Sequence, residues 1–251
     1  MRRCGILGVM VSADATPRLR GKTLRRTAAE VREALLQATI DELGHVGSTK
    51  ASLRSIARRV GISHQAVTYH FADQSALFTA VATQGFIKLA HQSRAAMDAV
   101  SPRKRKLGRE VAAFGEAYIV FARNNPAQFT VMFGSDLVNR HDPVLLEAQI
   151  ALWKLHYDTV AIATGKGWGG GVDTTALAFS TWSLSHGMAT LECRLPSGMP
   201  ANRLPEDILH TVLDAVITDG PRSRRVTIHR RSKRRELALS EIRVGGHPPS
   251  S

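Results

Sequence analysis

Cysteine is almost absent. Cys4 and Cys193 are the only two in 251 residues. Two cannot build a disulfide framework or a Cys-based zinc site, and such usage fits a reducing cytoplasm. The ten histidines contain no H-x-x-x-H pair with a carboxylate partner, so no metal is expected. No apolar run approaches the roughly 18 residues of a membrane span. G-x-S-x-G, a Walker loop and G-x-G-x-x-G are all missing. The glycines at 165–171 lack a following Lys-Ser/Thr and a preceding strand, so they read as a flexible loop. No acid/base or nucleophile constellation remains. The chain reads as no enzyme, with no cofactor. No convincing strand and no internal repeat appear.

Acidic residues are also short: 21 against 34 Lys and Arg, a net charge of +13. The imbalance sits at the ends. Residues 1–71 hold 12 basic and 5 acidic side chains, residues 72–219 hold 13 and 14, and residues 220–251 hold 9 and 2. A neutral middle between two basic ends points to a polyanion, either nucleic acid or an anionic membrane surface. Apolar residues make up 43%, enough for a proper core.

The pattern is helical throughout. Val31, Leu35, Leu36, Ile40 and Leu43 recur at helical spacing, which predicts a helix over about 27–43. Ser52 caps a short helix with Leu53, Ile56, Ala57 and Val60 turned inward, and Gly61 ends it. Ser63 caps a third helix ending near Phe71. Three helices in about 45 residues, the last two joined by a short turn containing Gly, form the helix-turn-helix pattern. Longer helices are expected at about 75–100, 104–123, 126–133, 143–164, 172–194 and 205–218. Pro126, Pro143 and Pro205 suit first turns.

Advance 100° per residue along the helix from Ser63. Val67 and Phe71 fall on one side, and His64, Gln65, Thr68 and Tyr69 form a polar strip about 140° wide. A major groove admits one helix, and such a strip is what that helix would offer. Gln65 suits adenine N6/N7, His64 suits guanine O6/N7, and Thr68 suits a thymine methyl. Tyr69 fits a phosphate, and Arg54, Arg58 and Arg59 fit the flanking backbone.

Residues 32–38 and Gly47, then Ser52-Leu53-Arg54-Ser55-Ile56-Ala57, Gly61-Ile62-Ser63, Tyr69-His70-Phe71 and Leu77-Phe78 resemble the N-terminal domain of the TetR family of bacterial transcriptional regulators. The resemblance covers residues 27–80 without a gap. It implies an all-α fold: an N-terminal three-helix helix-turn-helix DNA-binding domain and a C-terminal helical ligand-binding and dimerisation domain. It further implies a homodimer on a palindromic operator, most often a repressor released by a small molecule. Carried onto this chain, the DNA-binding set is Ser52, Arg54, Ser63, His64, Gln65, Thr68, Tyr69 and His70. The family usually has Tyr at Thr68 and Lys at Gln74, both touching phosphate, so those two contacts do not carry over. A frequent Thr is replaced by Ala51, leaving the capping to Ser52.

Trp182-Ser183-Leu184-Ser185-His186-Gly187 resembles the W-x-x-x-H-G signature of one subgroup's C-terminal domain, and Pro126–Phe129 with Met132 and Phe133 fits its short helix. Trp182 and His186, four residues apart, share a helix face. They either line a pocket or pack with an interhelix hydrogen bond. Phe121, Phe129, Phe133, Trp153, Trp182 and His186 are the candidate effector-binding residues, and an effector there would be small and apolar or aromatic.

The expected organisation is a disordered arm at 1–19, the helix-turn-helix domain at 20–73, the sensing and dimerisation domain at 74–219, and a disordered basic tail at 220–251. The opening residues faintly resemble a signal peptide, but their apolar stretch is short and carries two glycines. A cytoplasmic location with no membrane partner is the expectation. Arg103-Lys104-Arg105-Lys106 reads as a solvated turn. The tail's arginines read either as a solubility tail or as a second, sequence-blind DNA contact. The competing class is a ligand-independent architectural or nucleoid-type DNA binder, marked by weak sequence preference and a steep salt dependence.

Overall fold

The structure, a computed structural model, describes residues 26–47, 50–101, 106–134, 136–194 and 205–218. The basic arm, positions 103–105 of the cation run, the connection at 195–204 and the basic tail lie outside them. Among the described residues every regular element is a helix. The chain divides into two compact units, one ending at Gln74 and one beginning at Ser75.

The first unit holds α1 (Ala28–Val46), α2 (Leu53–Val60) and α3 (His64–His70). A hydroxyl opens each of them. Thr27 with Glu30 and Ser52 with Ser55 form capping boxes, and Ser63 accepts from the Ala66 N–H. These side chains satisfy backbone donors that a first helical turn leaves without partners. Gly61 closes α2 in the left-handed region, φ 77°, where a side chain is strained. The core is one layer deep. Leu35, Leu36 and Leu43 meet Ile56, Ala57, Val67 and Phe71, all buried. The Arg32 guanidinium lies 5.0 Å from the centre of the Phe71 ring. Glu42, buried on α1, pairs with Arg59 of α2. The Ser55 hydroxyl and that guanidinium hold the Glu42 carboxyl below its ordinary range.

The second unit holds most of α4 (Gln74–Asp98), then α5 (Arg109–Asn124), α6 (Pro126–Gly134), α7 (Pro143–Gly165), α8 (Thr174–Arg194) and α9 (Pro205–Thr218). α5 is its axle. It packs on α6, α7, α8 and α9, and its Phe114, Tyr118, Ile119 and Phe121 are completely buried. Asp142 caps α7 ahead of Pro143, accepting from the Leu145 N–H at 2.9 Å. α6 is held to α4 by Gln128, whose buried amide donates to the Val81 carbonyl at 3.1 Å. Arg123 joins α5 to two helices at once, with Nε 2.5 Å from Glu192 of α8 and Nη1 2.7 Å from Glu206 of α9.

Two expectations from the sequence need correction. The fifth helix, expected from residue 104, begins at Arg109 behind Gly108. Charged residues tolerate either state, and the glycine is the true marker. Its φ is 78°, and a Cβ there would overlap the Trp168 ring. The stretch at 165–171, expected as a flexible loop, is a hydrogen-bonded turn. The Trp168 N–H donates back to the Ala163 carbonyl at 3.0 Å, and its ring is only 1% exposed.

Candidate functional site

The polar strip of α3 stands in the open. His64, Gln65, Thr68 and Tyr69 are exposed, Tyr69 to 82%, while Val67 on the opposite side is completely buried. The helix is anchored through Val67 and Phe71, so its polar side is left to meet something else. His70 is half-buried and meets the Tyr69 ring edge-on at 5.3 Å. The Thr68 hydroxyl donates to the Gln65 carbonyl at 2.9 Å. Ser52 and Ser63 are exposed at the two helix starts, each with its oxygen engaged as a cap. Arg54 and Arg58 are exposed on α2. Arg59, grouped with them by sequence, is occupied by Glu42. Gln74, which replaces the family's lysine, has a different partner. Its amide donates to the Ala51 carbonyl at 3.0 Å and ties the chain beyond α3 to the approach to α2.

In the second unit five of the six candidate effector residues come together. Trp153 lies 5.5 Å from Trp182, Phe129 lies 4.9 Å from Phe133, and Phe133 lies 4.7 Å from His186. Tyr118 links the two halves, 5.4 Å from Trp182 and 5.9 Å from Phe129. Phe121 is buried on the same helix but stands outside these ring contacts. Tyr118 Oη and His186 Nδ1 share a hydrogen bond at 2.9 Å that joins α5 to α8. Burial raises the Tyr118 hydroxyl well above its ordinary value and lowers His186. Both are therefore neutral in this pair at neutral pH.

Sequence reasoning passed over His156. Its ring is 4.5 Å from Phe114 and 5.6 Å from Trp182. Its Nε2–H donates to the Ala178 carbonyl at 3.0 Å, and burial pushes its pKa down to about 4. Its place among the aromatics is readable from spacing, since His156 follows Trp153 by three and Tyr157 adjoins it, but its carbonyl partner is not. Two clefts open elsewhere in the unit. One of about 590 Å³ is bordered by Ala96, Val100, Arg109, Ala113, Glu116 and His210. Another, of about 520 Å³, is bordered by Met97, Gly108, Leu155 and Lys166. Neither is bordered by the aromatic candidates.

A capped helix, a glycine turn and a second helix offering only polar ends to its surroundings, in a basic sequence, define a helix-turn-helix DNA-binding transcriptional regulator. Comparison with known proteins gives the family. The profile of bacterial regulatory proteins of the tetR family matches residues 35–81. That of the tetracyclin repressor-like C-terminal domain matches residues 111–216. The chain belongs to the TetR family. The second profile's description does not extend to the narrower W-x-x-x-H-G subgroup. No curated protein matches the sequence.

Solved structures share the fold. A Rhodococcus sp. RHA1 protein of unknown function is 26% identical, covers 78% of this chain and 96% of its own, and has a TM-score of 0.66. A tetR-family regulatory protein from Rhodococcus RHA1 is 17% identical, over 75% of this chain and 95% of its own, with a TM-score of 0.59. The TetR-family regulator PfmR from Thermus thermophilus is 14% identical, over 73% and 96%, with a TM-score of 0.57. Among the described residues no helix is long and apolar enough to cross a membrane.

Proposed function

We propose that this chain is a ligand-released repressor that binds a palindromic operator as a homodimer, in the cytoplasm where that DNA lies. The observation that carries the reading is the exposed polar face of α3, held outward by a buried Val67. His64, Gln65 and Thr68 meet base edges in the major groove. Tyr69, His70, Arg54 and the helix starts at Ser52 and Ser63 meet phosphates. Two copies related by a two-fold axis place their reading helices one helical turn apart, about 34–36 Å. The faces of α8 and α9 that carry exposed Phe179, Leu191, Ile208 and Val212 supply apolar surface for the partner copy.

A small apolar or aromatic effector enters the second unit beside Phe129, Phe133, Trp153, Trp182 and His186. Release requires that it favour one conformation over the other, since equal affinity for both would shift nothing. The test is selection from a random duplex pool with the full chain. A discrete inverted repeat supports the reading. Enrichment of no sequence, with a steep salt slope, would instead mark an architectural binder. An effector that binds the second unit and leaves operator affinity unchanged overturns the release step.

A further inference from the structure

We propose that Thr68 reads the C5-methyl group of a pyrimidine, so that this protein distinguishes methylated from unmethylated pyrimidine at one position of each half-site. The inference rests on the reading of α3 as the groove-entering helix and names what one of its residues recognises there. Three observations carry it. Thr68 is exposed on the polar strip, between Gln65 one turn before and Tyr69 beside it. Its hydroxyl proton is already engaged, donated to the Gln65 carbonyl at 2.9 Å. Cγ2 is then the one terminal group of this side chain with no hydrogen-bonding role, and it sits on a face otherwise made of polar ends.

A threonine tied back to its own helix in this way is a methyl group on a short stalk. A base acceptor would have to draw the hydroxyl away from the Gln65 carbonyl, one hydrogen bond for another. An apolar contact asks for no such exchange. The major groove offers one apolar group on its floor, the C5-methyl of thymine. Where the family usually carries tyrosine, this chain carries a short side chain that ends in a methyl group. The consequence extends beyond thymine. 5-Methylcytosine carries the same methyl at the same carbon, whereas uracil and cytosine carry hydrogen there. The proposed contact therefore follows the methyl and not the identity of the pyrimidine.

The experiment starts from the inverted repeat selected by the full wild-type chain. Each thymine of the half-site is replaced singly by deoxyuridine. A contact worth one buried methyl predicts about fourfold weaker binding at one thymine per half-site. At that position 5-methylcytosine should bind about fourfold tighter than cytosine. Thr68→Ser, which keeps the hydroxyl and deletes the methyl, should bind thymine and deoxyuridine alike there. Thr68→Val, which keeps the branch and loses the hydroxyl, should retain the discrimination. Circular dichroism and melting confirm that both variants fold, as expected at an exposed position. The proposal is overturned if no thymine responds to deoxyuridine, or if Thr68→Ser still discriminates. Failure to select any discrete site would instead overturn the groove reading beneath it.

Discussion

Residues 28–74 make a core one layer deep, where Leu35, Ile56 and Val67 meet and the polar side chains are spent on caps or turned outward. From Ser75 onward the chain buries whole rings. Phe114 and Tyr118 are sealed on α5, and Trp182 and His186 close around them. The largest aromatic of the first unit, Tyr69, is 82% exposed, whereas Phe114, Tyr118 and Trp168 of the second are at most 1% exposed. A reading head needs its chemistry outside and can be held by few apolar contacts. The second unit turns the polar groups of Tyr118, His156 and His186 inward among its rings, where they belong to the packing. Function is therefore separable from stability in the first unit and entangled with it in the second.

The sharpest way to break this contrast is Phe114→Ala. Removing a completely buried ring should cost about 3–5 kcal/mol, read by denaturant unfolding. A cost below about 1 kcal/mol would mean that the second core is not tightly packed. Acid comes next. His156 has a pKa pushed down to about 4 by burial, so the unfolded chain binds its proton more readily. Its contribution to stability is complete above pH 6.5 and is lost as the pH falls towards 4. The loss is about 3 kcal/mol. His156→Leu should flatten the stability curve over that window, and an unchanged slope would remove His156 as its cause. Smaller still, Gln65→Ala should forfeit about 1–3 kcal/mol of preference for the correct base while changing stability by less than about 0.5 kcal/mol. Competition binding with mismatched sites and a melting curve read the two numbers. The smallest is Ser52→Ala, which should lower stability by about 1 kcal/mol through loss of the cap on α2. A larger loss would show that the capping box does more than satisfy a helix end.

The same contrast explains what could be read in advance. The first unit is governed by local rules. Ser52 and Ser63 announce helix starts, Gly61 announces a stop, and a 3.6-residue period separates Val67 from Gln65. All of these are visible within a few residues of sequence. The proline-led starts of α6, α7 and α9 were legible for the same reason. In the second unit the decisive relations are distant. Tyr118 meets His186 across 68 positions, and Arg123 reaches Glu192 and Glu206. Periodicity marks such residues as inward-facing but cannot say which partner they find. His156 was missed in this way, because a lone histidine within an apolar helix gives no sign of the carbonyl waiting at Ala178. Gly108 was missed because its reason is a tryptophan 60 positions away.

The placement of Trp168 behind Gly108 has an optical consequence. All three tryptophans, Trp153, Trp168 and Trp182, belong to the second unit, and residues 1–74 contain none. Ultraviolet emission excited at the indole edge thus comes from one half of the molecule. Trp168, sealed from water, supplies a constant blue-shifted background. Trp153 and Trp182, half-exposed and 5.5 Å apart beside His156, supply the part of the emission that follows changes in their surroundings. The protein carries its own two-channel dye, in which the first unit is dark and the second is lit.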